Sequence, residues 1–256
     1  MNPEEYDIMY ARENTYWWFQ GRKNILLRMI ERFHLLRGGK ARVLDLGCGT
    51  GLILEEMARR TFAIGLDFSL KALNFCRSRG LENLVRGDVT RLPIKDGSVD
   101  LVLALDLLEH VEDDRTLLRE VLRVLSPEGH ILATVPAHQY LWSEHDEALH
   151  HYRRYSHAEF LKRIRECGFQ PIKYSFVISF TWLPIVVFRF AQKFLRKVIP
   201  SKKGPKTHII LLPDPINSLL ISILSLEGRL LERMNLPLGV SLLCIARKED
   251  ASGEKK

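Results

Sequence analysis

A glycine-rich turn with a carboxylate two residues before it is the clearest candidate for chemistry in the sequence. The run reads Val43-Leu44-Asp45-Leu46-Gly47-Cys48-Gly49-Thr50-Gly51 and follows a short apolar stretch typical of a buried strand. Glycine lets the backbone turn tightly and approach a ligand closely, and the helix predicted to follow offers free N–H groups to an anion. The run therefore predicts a cofactor site.

Two classes of cofactor use a turn of this kind. Dinucleotide sites favour G-x-G-x-x-G, because the last glycine packs the helix against the strand, but here that position is Leu52. The carboxylate of Asp45 suits a ligand with an ammonium group better than one with a pyrophosphate. S-adenosylmethionine carries an ammonium, a carboxylate and a sulfonium, so the residues favour this cofactor.

The run D-L-G-C-G-T-G resembles the first motif of class I S-adenosylmethionine-dependent methyltransferases. It is most similar to methyltransferase type 11, the branch of ubiquinone and menaquinone biosynthesis, and the resemblance covers about residues 42–135. It implies a Rossmann-like doubly wound α/β fold. The expected sheet has seven mostly parallel strands and an antiparallel last strand.

Two further acids come in the order that this family uses. The resemblance implies that Asp67 holds the ribose hydroxyls in a bidentate pair, and that Asp88 accepts from the adenine amino group. The alternative is that both acids only cap helices and turns. The complete predicted cofactor site is Arg22, Asp45, Gly47, Cys48, Gly49, Gly51, Asp67, Phe68, Asp88, Val89, Leu105 and Asp106.

One candidate cluster for the methyl acceptor is Asp106-Leu107-Leu108-Glu109-His110. On a helical turn the two acids and the histidine would share one side, so Glu109 and His110 are predicted catalytic residues. The stretch is similar to the D/E-x-x-E-H of ubiquinone-biosynthesis O-methyltransferases, which can hold a divalent cation. Asp106 is shorter than the usual glutamate, and no metal is predicted here. The alternative is a helix start decorated with favourable acids.

A second cluster lies in the polar loop 137–155. His145 and His150 are candidate bases, and Arg153 and Arg154 are predicted to orient the acceptor by binding a phosphate or carboxylate. Its H-D-E…H-x-R-R-Y pattern resembles bacterial and archaeal methyltransferases thought to act on lipid-linked or cell-surface molecules. The alternative is a solvated polar loop.

Apolar runs and helical stripes alternate along the chain, which predicts a mostly parallel sheet covered on both faces. We expect an N-terminal helical cap over 1–40 and a methyltransferase domain over 41–247. A helical insertion is predicted at about 181–235, and a disordered tail over 248–256. The predicted strands are 41–46, 62–66, 83–86, 98–105, 130–135, 169–180 and 238–247.

The insertion combines apolar and basic residues. Its apolar run, 176–188, is broken by Pro184 and is too short to span a bilayer. Next to it, basic residues on one helical face oppose apolar ones, a pattern typical of an interfacial membrane helix. A lid, a dimer interface and a solvated two-helix insertion are the alternatives. The basic residues are Arg189, Lys193, Arg196 and Lys197, followed by Lys202, Lys203 and Lys206.

The composition of the 256 residues limits the function classes. A net charge of +7 allows nucleic acid or anionic lipid as a partner, but no base-methylation motif is present. Four unpaired cysteines and the lack of a signal peptide favour a cytoplasmic protein, with peripheral membrane contact as an option. We therefore predict O- or C-methylation of a small, lipophilic or lipid-linked acceptor. Nucleic-acid methylation and a non-catalytic cofactor-binding module are the alternatives.

Overall fold

The chain folds around one seven-stranded sheet. The computed structural model describes residues 2–198 and 212–249, with the side chains of Pro3 and of 192–198 excepted. The strands are β1 Arg42–Leu46, β2 Phe62–Asp67, β3 Leu84–Arg86, β4 Val99–Leu105, β5 Leu125–Pro136, β6 Phe169–Val177 and β7 Ser241–Lys248. The helices are α1 Pro3–Arg12, α2 Trp17–Arg32, α3 Leu52–Ala58, α4 Leu70–Ser78, α5 Asp114–Val124, α6 Glu144–Ala148, α7 His157–Glu166, α8 Trp182–Val198 and α9 Asp214–Leu231.

The strand order is β3-β2-β1-β4-β5-β7-β6. Strand β7 runs antiparallel to β5 and to β6, while the remaining pairs are parallel. This confirms the predicted doubly wound sheet with an antiparallel last strand. The order reverses between β1 and β4, and a doubly wound sheet binds ligands in the crevice at the carboxyl ends of such strands.

Helices cover both faces of the sheet because the central strands are apolar on both sides. In β4, Val102 and Ala104 pack toward α5 and α7, whereas Leu101 and Leu103 pack toward α2, α3 and α9. Ser69 begins α4 by accepting from the N–H of Ala72, as expected of an N-cap. The sheet is thus a rigid base for the loops at its edge.

The N-terminal cap and the insertion form one helical layer, because α2 packs along α9. Gly21 of α2 allows this close approach: a Cβ there would lie 2.2 Å from Cδ1 of Leu224. The ion pair between Arg28 and Glu232, with an N–O distance of 2.9 Å, joins the two segments further along. Two stretches far apart in the chain therefore share one core.

Some element boundaries differ from those predicted. Strand β5 already begins at Leu125, ahead of the predicted strand 130–135, and its register with β4 shifts between Val99 and Leu101. Strand β7 extends to Lys248, so the strand takes the first residue of the predicted tail. Residues 250–256 of that tail lie outside the described residues.

Two general expectations can be compared with the described chain. The four cysteines are free thiols and are buried. Among the described residues, no helix combines the length and the apolar character that crossing a bilayer requires.

Candidate functional site

The glycine turn lies at the carboxyl end of β1, beside the reversal of strand order. Gly47 and Gly49 have φ values of 65° and 56°, a region that disfavours side chains. A Cβ on Gly47 would also lie 2.9 Å from Cδ1 of Leu107. The backbone N–H of Gly49 donates to Oδ2 of Asp67 at 3.0 Å, so the turn is tied directly to the end of β2.

The structure brings the two predicted acids of this crevice together. Asp45 and Asp67 are 3% and 6% exposed. Burial, reinforced by the charge of Asp67, raises the pKa of Asp45 to about 8. Burial also raises the pKa of Asp67, against hydrogen bonds from the N–H groups of Ser69 and Gly49. Two partly desolvated carboxyls favour a cationic or hydroxyl-bearing ligand.

The predicted adenine side is more open. Phe68 is 73% exposed and follows β2 directly, with the guanidinium of Arg86 5.9 Å from its ring centroid. Asp88 is exposed, and its Oδ1 accepts from the N–H and the hydroxyl of Thr90, both at 2.8 Å. The alternative that Asp88 caps a turn accounts for these two hydrogen bonds. Val89 is half-buried beside it.

At the end of β4, Asp106 binds the side chain of Arg22. The guanidinium forms an ion pair with this carboxylate and donates to Oγ1 of Thr134 at 3.2 Å. The hydroxyl of Thr134 in turn donates to Oδ1 of Asp106 at 2.9 Å. Arg22 thus reaches the predicted methionine end of the crevice from α2, next to the half-buried Leu105.

Helix α1 covers the glycine turn, which the sequence did not reveal. Glu13, 2% exposed, accepts from the hydroxyl of Thr50 at 2.6 Å and pairs with Arg79 at 2.6 Å. The methyl group of Met9 lies 3.2 Å from the position of a Cβ on Gly49. The N-terminal cap therefore contributes to the crevice directly. Burial cannot be read from a sequence, so the available signal for this contact was an acidic residue, Glu13, near the start of the chain.

The acceptor side contains a compact group of one acid and two histidines. Glu109, His110 and His151 each offer a ligand atom, and these atoms lie within 4.8 Å of one another. Glu109 is fully buried, and burial reinforced by the charge of Asp106 raises its pKa. Burial and the neighbouring His151 lower the pKa of His110 to about 4, so this imidazole is neutral near pH 7.

The spacing predicted that Asp106 shares a helical turn with Glu109 and His110, but in the structure it does not. Its φ is 50°, and the 3-10 turn begins only at Leu108. The side chain is directed to Arg22 and Thr134 instead. The physical reason is the ion pair with α2, which sequence spacing cannot anticipate.

Arg153 and Arg154, whose predicted role is to orient the acceptor, have partners within the protein, and that role stays a prediction. Arg153 pairs with Asp114 at 3.1 Å and donates to the carbonyl of Glu112 at 2.6 Å. Arg154 pairs with Asp146 at 2.7 Å. Because Asp114 and Asp146 are fully buried, each needs a cationic partner, and these arginines hold the loop to the fold.

The other predicted bases lie on the same loop but apart from Glu109. His145 is half-buried on α6, and burial lowers its pKa to about 4. His150 is exposed, and its Nε2 lies 3.1 Å from Oδ1 of Asn2. Sequence reasoning chose His150 from the adjacent pair, whereas the structure places His151 beside His110 with its Nδ1 3.0 Å from Asp146.

Comparisons with known proteins agree with this architecture. Residues 44–133 match the family model described as methyltransferase domain. A segment of 96 residues is 38% identical to ubiquinone biosynthesis O-methyltransferase of Xanthomonas oryzae, covering 35% of this chain and 40% of that protein. A probable S-adenosylmethionine-dependent methyltransferase of Mycolicibacterium smegmatis is 31% identical over 166 residues, 62% of this chain and 61% of that protein.

Solved structures share the fold. A methyltransferase dependent on S-adenosylmethionine from Archaeoglobus fulgidus aligns with a TM-score of 0.55 at 20% identity, covering 88% of this chain and 94% of that one. Fold and crevice thus resemble those of class I S-adenosylmethionine-dependent methyltransferases. The segment 44–133 carries the match to the methyltransferase domain model. These matches support the predicted class, and S-adenosylmethionine is the cofactor that this class implies.

Proposed function

We propose that this protein transfers the methyl group of S-adenosylmethionine to an oxygen or carbon atom of a small, lipophilic or lipid-linked acceptor. The observation that carries the proposal is the crevice beside β1, where the glycine turn and two buried acids, Asp45 and Asp67, meet. This chain spans about 40% of the length of the first relatives. They therefore support the type of reaction more than the identity of the acceptor.

Within this crevice each group of the cofactor has a candidate partner. The ammonium would lie near Asp45, the ribose hydroxyls near Asp67 and the adenine on the exposed face of Phe68. Backbone N–H groups of the turn and Arg22 would bind the methionine carboxylate. The sulfonium supplies the activated methyl group, so the protein has mainly to align the acceptor and exclude water.

An acceptor hydroxyl also needs a group that takes its proton. His110 and His151 suit this role, because His110 is neutral near pH 7 and lies 4.5 Å from His151 between ring centroids. Glu109 lies with them. His145 and His150 remain alternative bases on the same loop, where either could serve a differently placed acceptor.

The reason for proposing a lipophilic acceptor is α8, which begins beside the acceptor loop 137–155. The indole N–H of Trp182 donates to the hydroxyl of Tyr140 at 3.3 Å. Leu183, Val187 and Phe190 of this helix are all more than half exposed. An apolar helix beside the acceptor loop suits a lipophilic acceptor.

The same segment supports peripheral contact with an anionic membrane. Residues 182–213 contain seven Lys or Arg and no Asp or Glu. Basic and apolar residues together favour a negatively charged lipid surface. Arg189 of α8 is half-buried and its charge acts on His145. Its side chain therefore faces the acceptor loop rather than the exposed side of the helix. The side chains of Lys193, Arg196 and Lys197 lie outside the described part, as do Lys202, Lys203 and Lys206 entirely.

The test is transfer of radiolabelled methyl from S-adenosylmethionine into a fractionated cell extract. We expect label in the lipid fraction, with S-adenosylhomocysteine formed in equal amount. Label in soluble metabolites would retain the enzyme and reject the lipid acceptor, and label in RNA would support the nucleic-acid alternative. Cofactor binding without turnover in any fraction would favour the non-catalytic module.

A further inference from the structure

Helix α1 joins the two sides of the cofactor crevice. At its start, Oδ1 of Asn2 lies 3.1 Å from Nε2 of His150 in the acceptor loop. At its end, Glu13 accepts from the hydroxyl of Thr50 in the glycine turn at 2.6 Å. Between these two points the helix packs on α4. A helix of only ten residues therefore contacts both the cofactor turn and the acceptor loop.

Tyr6 of α1 lies at the end of β2, beside the proposed position of the ribose. Its side chain is half-buried and hydrogen-bonds the hydroxyl of Ser69. Burial and the charge of Asp67 raise the pKa of Tyr6 to about 12, so the phenol keeps its proton near pH 7. The neutral hydroxyl can both donate and accept, whereas the Asp67 carboxylate can only accept. Tyr6 therefore adds a hydrogen-bond donor to this part of the crevice.

The inner face of α1 continues from Tyr6 along the glycine turn. By helical spacing Tyr6, Met9, Tyr10 and Glu13 share one side of the helix. The methyl group of Met9 lies 3.2 Å from the position that a Cβ on Gly49 would take. A thioether is apolar and adaptable, so it excludes water without competing for the N–H groups of the turn.

A buried ion pair fixes the place of this helix. Arg79 pairs with Glu13 at 2.6 Å and with Glu55 of α3 at 2.7 Å, and its Nε donates to the carbonyl of Thr50 at 2.8 Å. The side chains of Glu13 and Arg79 are only 3% and 7% exposed. A buried carboxylate requires its cationic partner, so this contact defines one docked position of α1.

We propose that α1 is a lid over the cofactor crevice, and that Tyr6 is a cofactor-binding residue which the docked lid brings to the ribose. The lid opens for entry and exit of the cofactor when Glu13 leaves Arg79, which then retains Glu55 as a partner. In the docked position, Met9 and Tyr6 exclude water from the bound cofactor. The inference rests on the position of the cofactor given in the proposed function.

The experiment for Tyr6 is calorimetric titration of the full-length protein with S-adenosylhomocysteine and with adenosine, which has the ribose but no amino-acid tail. Tyr6→Phe keeps the ring and should weaken both ligands by the same factor, about 3- to 10-fold, because one hydrogen bond is lost. Tyr10→Phe is the matched control on the same helix. The ring of Tyr10 stacks on Phe75 of α4 with centroids 4.4 Å apart, so this variant should leave both affinities unchanged. Full affinity in Tyr6→Phe, or a loss for S-adenosylhomocysteine alone, would overturn the assignment of Tyr6 to the ribose.

The experiment for the lid is stopped-flow measurement of S-adenosylhomocysteine binding, followed by tryptophan fluorescence. Glu13→Gln weakens the docked state and should accelerate both association and dissociation by about fivefold or more, with a smaller change in Kd. Arg115→Gln removes an exposed ion pair with Glu166, 2.8 Å long, and as the control should leave both rates unchanged. A Glu13→Gln variant with unchanged rates, or with faster dissociation alone, would refute the lid.

Two further measurements separate the lid from a loss of folding and from a failure of the proposed function. Circular dichroism verifies that each variant is folded. Hydrogen exchange of the amides of residues 3–12 should slow when S-adenosylhomocysteine binds, and unchanged exchange would also refute the lid. Failure of the natural protein to bind S-adenosylhomocysteine would refute the proposed function together with this inference. Normal binding that neither Tyr6→Phe nor Glu13→Gln alters would refute this inference alone.

Discussion

Among single residues, Asp67 links the glycine turn to the proposed ribose position. Its Oδ2 accepts from Gly49 and its Oδ1 from Ser69 at 2.8 Å, so the carboxylate is held in place before any ligand binds. Tyr6 of α1 reaches the same point, since burial and the charge of Asp67 raise its pKa to about 12. Asp67 therefore combines a structural role with a proposed binding role.

Replacing Asp67 by Ala should weaken binding of S-adenosylhomocysteine by about 1.5–3 kcal/mol, the worth of hydrogen bonds to a charged group. Isothermal calorimetry measures this difference. Asp67→Asn keeps one acceptor oxygen and should lie between the natural protein and the alanine variant. Equal affinity in all three proteins would remove Asp67 from the cofactor site.

Asp45 makes cofactor affinity depend on pH. Its pKa is raised to about 8 by burial and by Asp67, so the free protein holds a proton there at neutral pH. A bound ammonium group favours the charged carboxylate and lowers this pKa, and the proton must leave on binding. Affinity should therefore increase as the pH rises from about 6 to 8, by at most tenfold per unit, and level off above 8.

The measurement is calorimetric titration with S-adenosylhomocysteine across this pH range, in buffers of different ionisation enthalpy to count the released protons. Asp45→Asn cannot release a proton and should give a flat profile. A sloping profile that persists unchanged in Asp45→Asn would assign the titration to another group.

Among the elements, the pair α2 and α9 determines how the N-terminal cap meets the sheet. Gly21 lies against Leu224, whose Cβ is 2.8 Å from the position that a Cβ on Gly21 would take. Gly228 on α9 meets the flexible Arg28 instead, at 2.9 Å from its Cδ. The two contacts differ because a branched, fully buried leucine cannot move aside as a long side chain can.

Gly21→Ala should therefore destabilise the protein by about 1–2 kcal/mol, since the strain of overpacking exceeds the gain in helix propensity. Gly228→Ala is the matched control and should be neutral or stabilising by up to about 1 kcal/mol. Unfolding in urea followed by circular dichroism compares both with the natural sequence. A Gly21→Ala variant as stable as Gly228→Ala would show that α2 and α9 are less closely packed than described.

For the molecule as a whole, the basic segment 182–213, which begins with α8, is the proposed contact with a membrane. It contains seven Lys or Arg and no Asp or Glu, and Leu183, Val187 and Phe190 of α8 are more than half exposed. Each Lys or Arg near an anionic lipid surface contributes about 1 kcal/mol. Binding should therefore depend on both lipid charge and ionic strength.

The triple change Lys193→Glu, Arg196→Glu and Lys197→Glu should reduce co-sedimentation with vesicles containing phosphatidylglycerol by more than tenfold. The matched control reverses three exposed cations elsewhere, Lys40, Arg91 and Lys95, and should retain most of the binding. Vesicles of phosphatidylcholine alone should bind neither protein. Equal loss in both triple variants would indicate only an effect of net charge, and undiminished binding by the Lys193, Arg196 and Lys197 variant would remove the membrane contact.

The sequence alone determined the class of fold and predicted the cofactor crevice. Strand and helix periodicity reflects burial on two faces, and the turn from Asp45 to Gly51 needs glycine for reasons of local geometry. Such features are local in the chain, so the pattern reveals them directly. The same holds for the acids at strand ends, since the carboxyl ends of parallel strands must meet.

Only the tertiary structure decided which partners these residues take. Arg153 and Arg154 were expected to face an acceptor, but the buried acids Asp114 and Asp146 bind them. Glu13 was missed, and His150 was chosen over His151 because adjacent residues on a loop can point in opposite directions. Several of the ion pairs join residues far apart in the chain, such as Glu13 with Arg79 and Arg22 with Asp106. Their cost in a buried setting depends on neighbours that no local pattern records.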